Sequence, residues 1–298
     1  MNEYYSLEKQ KRYQALGIAF VVLNEPYLVD AHMHLEYGEL SEEYVDAFIR
    51  EAVRKGLDEI NILDHTHRFK EFQEVYAPLR KYPQQDAWLN QKTKFCSTLE
   101  EYEALIRRVK EKELPLRVKF GLEVCYTKES EERLREILSA HSFDFLTGAV
   151  HSVNGILYDM PFSKELLWEA YPVDRIYSAY YQAVKDCISS GLFDRLAHPD
   201  TIKMFHYKPS YDLKDTYEEV AKLLKEQNMF AESNTGAHYR YQHEDIGLGE
   251  EMLDVFLKEG VPLITASDAH HPQDVGSFIR EAAEKIREGG RNYGTESL

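Results

Sequence analysis

Cysteine is scarce: Cys96, Cys125 and Cys187 are the only 3 in 298 residues, and no two of them form a CxxC pair. This excludes a disulfide-stapled scaffold and a thiolate-type structural zinc site. Positive charge is also in deficit, with 36 Lys and Arg against 52 Asp and Glu and a formal charge of −16. A nucleic-acid or anionic-membrane surface is therefore not expected, since neither gains from a partner of its own sign. A phosphorylated small substrate is not excluded, because bound cations reverse the local potential. Long apolar runs are missing too. The N-terminus is polar and of mixed charge, and the run from Ile18 to Leu23 that follows is too short for a signal segment or a membrane span. The chain reads as soluble and cytoplasmic, without low-complexity stretches, linkers or sequence repeats.

What is present is enough for a large core: 43% hydrophobic and 12% aromatic residues. Seven short β-rich runs, at 27–34, 59–65, 116–124, 143–152, 193–199, 229–235 and 262–270, alternate with amphipathic helical stretches. Helix signals stand where such units need them. Ser41 precedes a helix ending at Gly56, Ser97 and Glu100 have capping-box spacing, Asp215 and Glu218 open a helix stopping near Asn228, and Gly260 ends another. The alternation implies a parallel sheet with covering helices, more easily closed into a barrel than spread open. One domain is expected over 1–298, with its core at about 27–285. Two connections are long: 66–96, expected to hold an extra helix, and 153–172, read as a loop with aromatic anchors that shapes a site.

The functional signal lies in the last residues of the seven runs. They carry His32 and His34, then Asp64 and His65, Glu123, His151, His198, Glu232 and Asn234, and finally Asp268 and His270. In a β/α barrel all strand ends of this kind converge on one mouth. His32 and His34 point to the same side because strand side chains alternate with period two, and Asp268 and His270 repeat that spacing on the strand a closed barrel sets beside the first. A glutamate between them can bridge two cations. One HxH pair is weak, and a lone buried His is more often a hydrogen-bonded structural residue; the coincidence over six strands is what points to a metal site. Imidazole and carboxylate donors suit Zn, Mn or Fe. Among the other histidines, His67 lies just past strand two, His141 ends a helix as a cap, and His206, His238, His243 and His271 fall in loops.

The segments DAHMH, INILDH, FGLEV, FDFLTGAVHSVNG, LAHPDTIKMF, AESNTG and ASDAHHPQDVG resemble the PHP (polymerase and histidinol phosphatase) superfamily, and within it the histidinol-phosphate phosphatases. The likeness covers about 27–280. It implies a distorted (β/α)7 TIM-like barrel with two or three divalent ions at the C-terminal ends of the strands. By motif, the first ion takes His32, His34, Glu123 and Asp268, the second Glu123, His151 and His198, and the third His65 and His270. Relatives often have a further His six residues after the second His of HxH. Leu40 stands there in this chain, with Glu36 or Glu39 as substitutes.

The resemblance implies hydrolysis of a phosphorylated small molecule, L-histidinol phosphate, by a metal-bridged hydroxide, with Asp268 and His270 as catalytic candidates. Arg240 and Arg68, each just beyond a strand, and Arg195 inside strand five are candidate phosphate holders, since guanidinium binds phosphate bidentately. Glu232, Asp159 or Tyr158 would meet the substrate's amine and ring. The alternatives within the superfamily are phosphoesterases acting on nucleoside monophosphates or phosphotyrosine. Outside it stands an amidohydrolase, which would often carry a carboxylated lysine; Lys119 and Lys128 are the nearest lysines. A binding protein without turnover is disfavoured by the nearly complete ligand set. No subunit interface can be read from the pattern.

Overall fold

β-Branched and aromatic runs that are followed by amphipathic stretches build strand–helix units, and in the computed structural model, which describes residues 27–293, seven such units share one sheet. The N-terminal apolar run Ile18–Leu23 lies outside the described residues. The chain forms β1 (Val29–Met33), α1 (Glu42–Arg54), β2 (Glu59–His65), α2 (Pro83–Leu89), α3 (Leu99–Lys110), β3 (Arg117–Cys125), α4 (Glu131–Ser139) and β4 (Phe145–Ala149). A small hairpin, β5 (Ser152–Val153) with β6 (Ile156–Leu157), precedes α5 (Val173–Ser189). Then come β7 (Arg195–Leu196), α6 (Lys214–Glu226), β8 (Phe230–Asn234), α7 (Gly236–Tyr241), α8 (Glu250–Glu259), β9 (Leu263–Ala266) and α9 (Ile279–Arg291).

The sheet order is β1-β2-β3-β4-β7-β8-β9, every neighbour pair parallel. The two outer strands meet at their C-terminal ends, where His34 N donates to Ala269 O at 2.8 Å and Ala269 N donates to His32 O at 3.3 Å. That contact closes the barrel on the side where the ligand-type residues gather. The β1–β2 register advances from Asp30↔Ile60 to Met33↔Ile62, three residues against two. Asp30 thereby accepts from Ser267 and Gly276, while His32 and His34 are brought together.

Several local expectations are corrected. The capping box is Thr98 with Glu101, not Ser97 with Glu100: Thr98 Oγ1 accepts Glu101 N at 3.2 Å and Glu101 Oε2 accepts Thr98 N at 2.7 Å. Ser97 instead takes Arg68 Nε at 3.4 Å. α6 begins one residue before Asp215, and Asp212 accepts Lys214 N at 2.8 Å. Strands are shorter than the apolar runs. The 193–199 run pairs only at Arg195–Leu196, and the 143–152 run leaves the sheet after Ala149. The 66–96 connection holds α2 as expected, and the 153–172 segment holds the hairpin and a π turn at Lys164–Trp168. Trp168 Nε1 donates to Tyr158 O at 2.9 Å, which ties the two parts of that segment together. Among the described residues no helix is long and apolar enough to cross a membrane.

Candidate metal centre

Glu123, the penultimate inward residue of β3, is the hub. It is 1% exposed, so its charge needs partners, and the imidazoles around it supply them. His198 Nε2 and His151 Nε2 lie 2.9 and 3.1 Å from Oε1. His65 Nδ1 and His32 Nε2 lie 2.5 and 3.5 Å from Oε2. Burial alone would raise this carboxyl, yet His65, His151 and His32 hold it well below the usual carboxylate range. The same coupling raises His151, against its burial, to about 9.

β1 and the β9 end build the next face. His32 Nε2 and His34 Nε2 are 2.9 Å apart, and Asp268 Oδ1 lies 3.1 Å from His34 Nε2 and 3.8 Å from His32 Nε2. A third face joins His34, His65 and His270, with His65 Nε2 3.4 Å from His270 Nε2. Burial pushes His34 well below its ordinary value, with His65 and His270 adding to the effect, and burial brings His270 down to about 4. Neutral rings with converging lone pairs are what a cation needs and what protons cannot satisfy at every nitrogen.

The donor set fits divalent ions. A four-coordinate ion with bonds of about 2.0–2.2 Å sets its ligands roughly 3.3 Å apart. Three groups of His, Glu and Asp gather their ligand atoms within 4.8 Å of one another and share members: His32–His34–Asp268, His32–Glu123–His198 and His34–His65–His270. Buried atoms without a hydrogen bond cluster here as well, Glu36 Oε2 and His34 Nδ1 among them. Two residues reach the cluster on strained backbone. His198 has φ +26° and Asp268 φ +58°, conformations that cost a non-glycine residue roughly 1–3 kcal/mol each. Both stand just past their strands, where leaving the sheet turns the side chain toward the barrel axis. Gly236 allows α7 to start against this edge, since a Cβ there would meet Arg240 Nη2 at 2.8 Å and Asp268 Cβ at 3.1 Å.

The structure separates the expected substrate residues. Arg240 reaches the mouth: it pairs with Asp268 Oδ2, and Nη1 lies 2.8 Å from His270 Nδ1. Asp159 is half-buried; burial raises its carboxyl, and His151, His198 and His65 oppose the rise. The other assignments need correction. Arg68 is buried, its guanidinium committed to Leu35 O at 2.7 Å, Asp64 Oδ2 at 3.0 Å and Gly38 O at 2.9 Å, so it pins the loop after β1. Arg195 opens β7, three residues or roughly 10 Å before His198; it donates to Asn61 Oδ1 at 2.6 Å and covers the Phe145 ring. Glu232 is fully buried behind the cluster, its oxygens 2.8 and 3.0 Å from His32 Nδ1, and accepts His198 N–H at 3.2 Å. It assigns the His32 proton to Nδ1 and frees Nε2. Tyr158 is a core residue packed on Tyr180.

Glu36, and not the exposed Glu39, faces the centre: Glu36 Oε2 lies 3.6 Å from His65 Nε2 and 3.5 Å from His67 Nε2. His141 pairs with Glu103 at 3.2 Å, His238 lies against His243 O, and His271 stacks on Tyr37. The exposed His206 and Glu244 group with the buried His243, but Asp245 N donates to His243 Nδ1 and Lys208 lies 3.8 Å from Glu244. Lys119 and Lys128 pair with Glu59 and Glu131, each at 2.7 Å, so neither supplies a carboxylated lysine to the centre. Lys94 is brought beside Glu36 and His67 by the long 66–96 connection; no spacing in the chain signals that contact.

The chain is 26% identical over 270 residues to the probable histidinol-phosphatase of Deinococcus radiodurans, covering 89% of this chain and 95% of the relative. It is 25% identical over 265 residues to the histidinol-phosphatase of Bacillus subtilis, covering 83% and 95%. Its fold is similar to the crystal structure of the histidinol phosphate phosphatase of Lactococcus lactis subsp. lactis, which is complexed with Zn, L-histidinol and phosphate. The TM-score is 0.64 at 18% identity, over 88% of this chain and 94% of the other. A putative histidinol phosphatase from Listeria monocytogenes gives a TM-score of 0.65 at 18% identity, over 84% and 97%. The PHP domain matches residues 30–236, from the strand that carries the HxH pair to the start of α7. The chain belongs to the PHP domain family.

Proposed function

We propose that this protein is a metal-dependent phosphate monoester hydrolase, and that its substrate is L-histidinol phosphate. The observation that carries the reading is the shared Glu123 carboxylate, with His198 and His151 on one oxygen and His65 and His32 on the other. The curated relatives named histidinol-phosphatases, matched over most of their length, support the substrate.

Two or three divalent ions would be held by His32, His34, His65, Glu123, His151, His198, Asp268 and His270; when bound, they supply Lewis-acid activation of water and charge neutralisation at phosphorus. The chain's own groups do the rest. Glu232 holds His32 in the tautomer whose Nε2 faces the cluster. Arg240 presents a guanidinium at the mouth, beside Asp268 and His270, where a phosphoryl oxygen would be met by N–H donors. Asp268 stays ionised, because Arg240 and His34 outweigh its burial; it orients a proton better than it keeps one. Asp159, within electrostatic reach of His151, His198 and His65, is our candidate for meeting a substrate ammonium.

The test is phosphate release from L-histidinol phosphate, p-nitrophenyl phosphate and a nucleoside monophosphate, with Mn²⁺- or Zn²⁺-loaded protein and His32→Ala as control. We expect a preference in kcat/KM of about a thousandfold for L-histidinol phosphate, the size that matched polar contacts can give, and its loss in the variant. Comparable slow turnover of all three would discard the substrate and keep the phosphatase. No metal-dependent turnover of any would sink both.

A further inference from the structure

A buried ammonium sits against the metal centre. Lys94 is 9% exposed, at the end of the 66–96 connection. Its Nζ lies 3.2 Å from His67 Nε2 and 3.9 Å from Glu36 Oε2, and 4.4 Å from the centre of the Trp88 ring. The placement is built by the backbone: Phe95 N donates to His67 O at 2.8 Å, with Phe95 at φ +50°. The His67 ring in turn stands edge-on to Trp88.

Glu36, His65 and His67 by themselves form a group with metal-ligand spacing. It competes with His34–His65–His270 for His65, and two of its three members face Lys94. An ammonium and a divalent ion cannot share those two atoms, since like charges a few ångströms apart repel by several kcal/mol even at an effective dielectric of about 20. We propose that Lys94 is a built-in cation that keeps a metal ion off the Glu36–His65–His67 side and so confines the ions to the inner groups around His32, His34 and Glu123. Glu36 then contributes charge to the centre through Lys94 without being freed as an additional ligand. The inference rests on the metal-centre reading above.

The test uses the full chain, stripped with chelator, reloaded with Zn²⁺ and desalted. Bound zinc per chain is counted by elemental mass spectrometry, and the weakest site is followed by calorimetric titration. Lys94→Met is expected to retain about one more ion per chain, or to bind its weakest ion at least about tenfold tighter. Lys94→Arg, which keeps the charge, should match the wild type. His67→Ala should leave the count unchanged in the wild-type background and remove the gained ion in the Lys94→Met background. Equal counts and affinities in a folded Lys94→Met and the wild type would overturn the proposal. Loss of an ion in His67→Ala alone would overturn it too, and that readout serves if Lys94→Met fails to fold. A wild type that retains no zinc at all would instead bring down the metal-centre reading, and this inference with it.

Discussion

The Glu232 carboxylate touches no solvent, yet it decides which nitrogen of His32 carries the proton. It also receives the backbone N–H of His198, so one side chain orders residues from two of the three inner groups. Removing its charge should loosen both. Glu232→Gln is expected to lower zinc affinity about 10- to 100-fold, with phosphatase activity falling in parallel, measured by competition with a chromogenic chelator. Unchanged affinity would show that His32 holds its tautomer without help. Seen from the sequence, Glu232 stands two residues before Asn234 on a strand whose end faces the mouth, which suggested contact with substrate. That reading fails because a carboxylate two residues lower on the strand sits one layer deeper, where it reaches the back of His32 before it reaches a ligand. Arg195 fails for the same reason, a layer lower still, and is spent on Asn61 and Phe145.

At the scale of the element, the loops after β7 and β8 act as one unit. Lys203 donates to Asp200 at 2.6 Å, Asp245 at 2.9 Å and Gly247 O at 3.1 Å, and Asp200 accepts Gly249 N at 2.8 Å. His243 is part of that lock, taking the Asp245 N–H on Nδ1, which requires a ring unprotonated there. Burial, with Lys203 nearby, holds His243 below its ordinary 6.5. A histidine depressed in the folded state binds its proton first in the unfolded state. Its stabilisation is therefore present above the unfolded value and lost as pH falls through and below about 6.5. Between about pH 7.5 and 5.5 the wild type should lose stability more steeply than His243→Asn, which keeps an acceptor but does not titrate. Parallel declines in thermal melts of the two proteins would refute the role. Element boundaries were legible only in part, and the strands were read too long. An apolar run continues past the last paired residue wherever the chain turns inward, and that turn at His198 and Asp268 requires positive φ, which composition does not announce.

Taken as a whole molecule, the barrel gathers carboxylates and imidazoles at one mouth in a chain of formal charge −16. Divalent ions would relieve that crowding, and binding to the native state alone stabilises it. Chelation is expected to lower the melting temperature by about 5–10 °C, the shift for roughly 3 kcal/mol in a chain of this size, and Mn²⁺ or Zn²⁺ should restore it. A melting temperature indifferent to chelator, with no metal lost, would contradict the reading. The alternation of strands and helices, the nearly closed parallel sheet and the gathering of His32, His34, His65, Glu123, His151, His198, Asp268 and His270 at one mouth follow from the sequence by itself. They depend on local rules: a period of two along a strand, and strand ends that all lie on one face of a β/α barrel. The tertiary structure alone decided which charged groups reach that mouth. Arg68 and Arg240 each stand just beyond a strand, yet one is consumed by backbone carbonyls and the other faces Asp268. Lys94 arrives through a long connection. Side chains of equal chemistry take their roles from layer, loop path and competing partners, and those are set only when distant segments pack together.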